Sequence, residues 1–261
     1  MTPVELESAL RDRRIAPDAF LEALQALSRG DELELRTYAP GEMSLYRTKS
    51  IKGDKPTDVQ GLSYPPKEKC ELQRANLESE QIFYGSSKLP ATMSESRVRK
   101  GELVIVSKWK SAKELRVRAV PTEPAPRTLA CVYNLLFTDP DESVYPYSAL
   151  VAHWLFELDP LAGLLYPSRL DEDHNDNIAL TSLATDELLR LVHASTYEVA
   201  ESNEDGSLKV NELDFVLPSG RTLDWKGRAR LWPEGAGELK PRWNGWGYDC
   251  FDSQGNLVDP V

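Results

Sequence analysis

The sequence predicts an α+β protein, and three observations carry that expectation. Short strand-like runs fill the middle of the chain without regular βαβ alternation, helical signals stand at the start and again near residue 150, and the last third reads as short strands set off by a Pro-Ser-Gly turn. With 261 residues, 41% hydrophobic, 6 Trp and 10 Tyr, the chain can bury the core of one large domain with appendages, whereas a disordered chain would be poorer in large apolar residues.

The elements follow in order. Thr2-Pro3-Val4-Glu5 fits a capping box with Pro at the first helical position, and Pro17 opens a second helix that Gly30 closes. Phe20, Leu21, Leu24 and Leu27 give that helix an apolar face, which serves equally well for packing on the rest of the chain or as a homodimer or partner surface. A Gly- and Pro-rich loop spans Lys52 to Pro66, and strand-like runs follow at Gln81–Tyr84, Leu103–Val106, Leu115–Val120 and Ala130–Phe137. A helix is expected over Ser148–Leu158, then a strand at Leu161–Tyr166, an acidic loop from Asp171 to Asp176, and Asn177–Thr181. Beyond about residue 195 come the short runs Leu208–Val210, Asp214–Leu217 and Thr222–Trp232 and a Trp-rich tail, where Trp232, Trp243 and Trp246 are expected to form the core of a small β unit rather than a stacking platform. The division expected is 1–36 as an N-terminal helical segment, 37–195 as the main domain, and 196–261 as a β-rich extension.

Composition narrows function. A net charge of -11 repels phosphate backbones, so nucleic-acid binding would need a local basic patch. The basic stretch 97–118 alternates in a way that reads better as two strands with solvated Lys and Arg, so no direct nucleic-acid contact is expected. Cys70, Cys131 and Cys250 are odd in number, far apart and accompanied by three histidines, which fits neither a disulfide framework nor a zinc site. The crowd of Asp171, Glu172, Asp173, His174 and Asp176 reads as solvated charge, and no metal is assigned. The N-terminus lacks an apolar h-region and the run from Ala149 to Tyr166 is broken by His153, Glu157, Asp159 and Pro160, so a cytoplasmic chain without a membrane span is expected.

The common motifs for dinucleotide-binding, NTPase, metalloprotease and hydrolase chemistry are missing. What the sequence offers instead is an ordered set: Arg74, Tyr84 ten residues later, Glu95 eleven beyond that, and Ser168 closing a YPS triplet. A guanidinium, a phenol, a carboxylate and a hydroxyl together suit the holding of a dinucleotide and the stabilisation of a sugar cation. Taken singly, each has a plainer reading, in which Arg74 and Glu95 form a structural ion pair and Tyr84 and Ser168 satisfy buried hydrogen bonds.

In that order, LYR at Leu45–Arg47, QRANLESEQIFYGS at Gln73–Ser86, Glu95, and GLLYPSRLDEDHNDNIAL at Gly163–Leu180 resemble the RES-domain family, named for its Arg, Glu and Ser. The resemblance covers roughly residues 45 to 182 and departs from many relatives at Gln73 and Ala75, where they carry Gly and an aromatic residue.

The resemblance implies an ADP-ribosyltransferase-like fold and NAD as substrate. It implies cleavage of the nicotinamide–ribose bond by phosphate or water, or transfer of ADP-ribose to a protein, in the toxin half of a toxin–antitoxin pair neutralised by an Xre-type, DNA-binding antitoxin. Arg74 would then grip the pyrophosphate with its planar fork, Arg47 would add a phosphate contact with Tyr46 beside it, and Glu95 would stabilise the oxocarbenium-like sugar. Tyr84 would face the nicotinamide or hold the ribose, Ser168 would bond the ribose or the attacking group, and Asn76, Tyr166 and Asn177 would orient them. The alternative is a RES-fold module that binds a nucleotide or protein without turnover, which Gln73 and Ala75 favour.

Overall fold

The computed structural model describes the chain except residues 29–32, 90–91, 94–95, 97, 125–126, 169–175, 203–207, 226–239, 244–247 and 252–261. It divides into two compact units built from interleaved segments: Met1–Met43, Ser63–Ser87 and Ser111–Leu189 in one, and Ser44–Leu62, Lys88–Lys110 and Arg190–Val261 in the other. No helix among the described residues is long and apolar enough to cross a membrane.

The first unit begins with helices α1 (Pro3–Arg11) and α2 (Pro17–Leu27). The capping box forms as the sequence predicts: Glu5 N donates to Thr2 Oγ1 at 3.3 Å, and Thr2 N donates to Glu5 Oε2 at 2.7 Å. Leu6 and Leu10 of α1 and Phe20 and Leu24 of α2 recur four residues apart and are fully buried, with Leu21 and Leu27 packed against the same core. The apolar face of α2 is therefore committed to packing within this unit.

The sheet of this unit runs β1 (Glu34–Tyr38), β5 (Leu115–Ala119), β6 (Gly163–Pro167), β7 (Asp176–Thr181), β3 (Ile82–Ser86), with β5 and β6 parallel and the other pairs antiparallel. Gly163 is needed where β6 enters between its neighbours, because a Cβ there would lie 2.6 Å from Leu180 Cδ2 and 3.0 Å from Val117 Cγ1. Helices α3 (Leu129–Thr138) and α4 (Tyr145–Leu158) pack with α1 and α2 over one face, joining Val132, Tyr133, Leu136, Phe137, Val151 and Leu155 to Leu164, Tyr166 and Ala179 of the sheet. A short helix, α5 (Ser182–Leu188), follows β7, capped by Thr181 Oγ1 accepting from Ala184 N at 3.0 Å.

One element corrects the sequence reading. Ala130–Phe137, expected as a strand, lies within helix α3, because Leu129, Val132, Tyr133, Leu135, Leu136 and Phe137 are buried over most of its girth. A helix enclosed so widely has no polar stripe to announce its period, and a short apolar run then mimics a strand.

The second unit carries the sheet order β2 (Ser44–Ile51), β4 (Leu103–Ser111), β8 (Leu189–Ser202), β9 (Leu208–Val216). β2 and β4 pair antiparallel from Ser44↔Lys110 to Ile51↔Leu103, and β8 and β9 pair antiparallel with irregularities at Thr196/Tyr197 and Val199/Glu201. Its core gathers Met93, Val98, Val104, Val106, Tyr197 and Val199. The predicted turn at Pro218-Ser219-Gly220 joins the two-residue strands β10 (Pro218–Ser219) and β11 (Thr222–Leu223), with Gly220 at φ +61°. The Gly- and Pro-rich loop is pinned to this hairpin by Val59 N to Arg221 O and Leu223 N to Thr57 O, both at 2.9 Å, while Trp225 Nε1 donates to Pro56 O at 2.7 Å. In the tail, β12 (Lys240–Trp243) and β13 (Tyr248–Phe251) pair antiparallel; Trp232 and Trp246 lie outside the described residues.

Candidate functional site

The site residues of the first unit are organised around a tight turn. Gln73 N donates to Asn76 O at 3.1 Å and Asn76 N to Gln73 O at 3.4 Å, which sets Arg74 and Ala75 at the tip. From β3, the Tyr84 hydroxyl accepts from Ala75 N at 3.0 Å and donates to Asn76 Oδ1 at 2.8 Å. Asn76 Nδ2 donates to Glu71 O at 2.7 Å and Leu77 O at 2.8 Å, so the buried amide uses both ends within its own loop. Tyr84 and Asn76 thus act first as the support that presents Arg74.

The Arg74 guanidinium reaches the C-terminus of α3. Nη1 donates to Leu136 O at 3.2 Å and Nη2 to Asp139 O at 2.7 Å, and the group lies 5.1 Å from the centre of the Tyr145 ring. Carbonyls at a helix C-terminus lack intrahelical partners and carry the negative end of the helix dipole, so a cation satisfies both needs there. These two bonds fix the plane of the fork.

The other predicted residues of this unit align on the sheet. Tyr166 of β6 stands opposite Asn177 of β7, which stands opposite Ser86 of β3, and Tyr84 lies two residues from Ser86 on the same face. That face is the one the helices cover, and the Tyr166 ring lies 5.8 Å from that of Phe137 at its boundary. Asn177 and Ser168 are nearly inaccessible, Ser168 directly after β6. Asn76 and Tyr84 therefore meet by direct contact in the turn that carries Arg74, whereas Tyr166 and Asn177 share a sheet row.

Tyr46 and Arg47 belong to the second unit, on successive positions of β2 whose side chains point to opposite faces. Tyr46 packs against that unit's core with Lys108 Nζ 5.9 Å from its ring centre, and Arg47 O accepts from Ser107 Oγ at 3.2 Å. Glu95 lies outside the described residues, as do Asp171, Glu172, Asp173 and His174 of the acidic loop.

Three contributors were not singled out from sequence. Asp139 and Tyr145 hold Arg74 from more than sixty positions away, a relation that no local pattern encodes. Ser86, within the quoted stretch, donates to Asp176 O at 3.1 Å and completes the row. Asp176 opens β7 instead of ending a solvated loop, and burial raises its carboxyl pKa, opposed by the charge of Arg36. An open cleft of about 450 Å³ is lined by Glu7, Arg11, Cys131, Asn134, Thr138 and Asp139, the last of which also holds Arg74, and none of the predicted site residues among those described lines it.

Residues 44–201 match the model of the RES domain, which covers the strands that carry Tyr46, Arg47, Tyr84, Tyr166 and Asn177 and the turn that carries Arg74. The chain belongs to the RES domain family. Its helices and mixed sheet fit the ADP-ribosyltransferase-like α+β fold of that family, whose domain is in general an NAD-acting enzyme domain. No curated protein matches the chain significantly. The two N-terminal helices and everything after Glu201 lie beyond the RES match.

Proposed function

We propose that this RES protein cleaves the nicotinamide–ribose bond of NAD. The observation that carries the reading is the Gln73–Asn76 turn, buttressed by Tyr84 and Asn76, which holds a pre-oriented arginine fork within a match to an NAD-acting domain. On this reading Arg74 binds the pyrophosphate through its unengaged N–H groups, and its fixed plane lowers the entropy lost on binding. Tyr84, Asn177, Tyr166 and Ser168 serve the nicotinamide–ribose end.

In the reaction, the C–N bond to nicotinamide breaks with its electron pair going to the pyridinium ring, so nicotinamide leaves neutral. The sugar carbon takes on positive charge, which the Glu95 carboxylate stabilises near the transition state. An oxygen of phosphate or water then forms the new bond and gives up its proton to solvent, giving ADP-ribose-1-phosphate or ADP-ribose; a protein side chain as acceptor, losing its proton likewise, gives ADP-ribosylation instead. The biological role proposed is a cytoplasmic toxin held in check by an Xre-type antitoxin.

A second reading, a RES-fold binding module without turnover, draws support from Arg74 itself, two of whose donors already satisfy carbonyls of α3. Incubating the purified chain with NAD and following nicotinamide release separates the two, and mass spectrometry of the products identifies the acceptor. Release at a rate indistinguishable from a buffer control would overturn the enzymatic reading.

A further inference from the structure

The connection between α3 and α4 is held from two sides by two arginines. Arg74 binds the backbone carbonyl of Asp139 at 2.7 Å, while Arg13, in the segment that precedes the RES match, faces the carboxylate of the same residue, Nη2 to Oδ2 at 3.8 Å. Arg13 also approaches Asp141 Oδ2 at 3.6 Å and donates from Nε to Ser143 Oγ at 3.0 Å. Within the connection, Asp141 N donates to Asp139 Oδ1 and Ser143 N to Asp141 Oδ1, both at 2.9 Å, so a pull on one carboxylate is passed to the whole turn. Tyr145, whose ring faces Arg74, begins the next helix.

The backbone at Arg13 indicates that its side chain has a task. α1 ends in a Schellman arrangement, Arg14 N to Ala9 O at 3.0 Å and Arg13 N to Leu10 O at 3.1 Å, with Arg13 at φ +52° in the left-handed region. Glycine or asparagine is the usual occupant of that position, since a Cβ is strained there. The Arg13 guanidinium donates from Nη1 back to Leu10 O and from Nε to Ser143 Oγ, so one side chain ties the end of α1 to the connection. The segment itself is firmly seated, because Tyr147 Oη donates to Ile15 O at 2.7 Å and Phe20 meets the Tyr147 ring edge-on at 5.5 Å.

We propose that Arg13 is a positioning residue for Arg74: by fixing Asp139 and the turn to Ser143 from the N-terminal segment, it sets where the α3 carbonyls hold the NAD-binding fork. This rests on the reading that Arg74 binds NAD. It makes the N-terminal helices part of the site's construction rather than a detachable appendage.

The test uses the full chain and five forms: wild type, Arg13→Gly, Arg13→Lys, Arg74→Gln and the Arg13→Gly/Arg74→Gln double variant. Arg13→Gly keeps the backbone bonds of the α1 cap and relieves its left-handed strain, at the loss of the Arg13 Nη1 to Leu10 O bond, so the fold survives while the clamp is lost. The KM for NAD should rise about 3- to 10-fold with kcat within about 2-fold, and the rise should vanish in the Arg74→Gln background. Arg13→Lys should restore part of the affinity. A wild type that cleaves NAD while Arg13→Gly leaves KM unchanged, or raises it equally in the Arg74→Gln background, overturns the proposal and leaves the NAD reading intact. If the wild type neither binds nor cleaves NAD, the NAD reading falls instead. The linkage is then decided by urea unfolding: additive effects of the two single variants overturn it, and non-additive effects sustain it.

Discussion

Replacing Arg74 by lysine keeps the charge and removes the fork, and the structure allows the consequence to be worked out. A lysine ammonium can stay on one of the two carbonyls that Arg74 reaches at 2.7 and 3.2 Å, but it cannot span both while lying flat near Tyr145. Losing one charge-assisted bond at a partly buried site removes about 1–2 kcal/mol, and losing the stacked cation a further ~0.5 kcal/mol. For a protein of this size each kcal/mol moves the Tm by about 2–4 °C, so a fall of roughly 3–10 °C is expected in a thermal melt. If the remaining N–H groups grip the pyrophosphate, KM for NAD should also rise about 10-fold, or ~1.4 kcal/mol, with kcat little changed. A lowered Tm with wild-type KM would reduce Arg74 to a helix cap and refute the phosphate role. An unchanged Tm would refute the capping geometry itself.

Glu95→Gln should lower nicotinamide release by about 100-fold or more while NAD binding by calorimetry is kept, because the carboxylate acts on charge present only near the transition state. Expressed in a bacterial host, the wild-type chain should arrest growth as the NAD pool falls, and Glu95→Gln should relieve both; arrest with normal NAD would point to modification of a protein target. Tyr84→Phe leaves Ala75 N and Asn76 Oδ1 without their shared hydroxyl, so stability should drop by about 1–3 kcal/mol in urea unfolding, and an unchanged midpoint would show that the turn does not depend on it. Asp176, with its carboxyl pKa raised by burial, binds its proton more readily folded than unfolded, so it lowers stability as pH rises above its ordinary 3.8 and through the raised value. Asp176→Asn should therefore raise the Tm at neutral pH and lose that advantage as pH falls below 3.8, and a Tm difference independent of pH would refute the assignment.

What the sequence made legible was what short-range physics encodes. The capping box at Thr2 and Glu5, the apolar face of Phe20, Leu21, Leu24 and Leu27, and the Pro218-Ser219-Gly220 turn all depend on neighbours within a few positions, and each forms. Arg74, Asn76 and Tyr84 were singled out by their order and by the family resemblance, whereas the Gln73–Asn76 turn and the Tyr84 hydroxyl that supports it were not read from the sequence, although they lie within eleven residues of one another. α3 was misread because its burial is nearly all-round, and α5 and β1 were passed over because one is a single short helix and the other an exposed edge strand defined by its pairing with β5. The partners of Arg74 had no local signature at all: its carbonyls come from Leu136 and Asp139 and its ring from Tyr145, brought there only once α3 and α4 pack across the sheet.

That distinction bears on how the site is assembled. Arginine is one residue type, but its five donors point in fixed directions, and which of the Arg74 donors face protein is set by the helix terminus beside it rather than by the motif that names it. The motif therefore supplies the guanidinium, while the α3–α4 connection, and through Asp139 the N-terminal segment, supplies its direction. A substitution at Asp139 tests this without touching either arginine: Asp139→Asn keeps the carbonyl that Arg74 binds and weakens the attraction for Arg13. It should then reproduce the higher KM of Arg13→Gly in the same nicotinamide-release assay, and its effect should not add to that of Arg13→Gly. Full additivity would mean that the two residues act on Arg74 by separate routes, and the shared-residue path through Asp139 would be wrong.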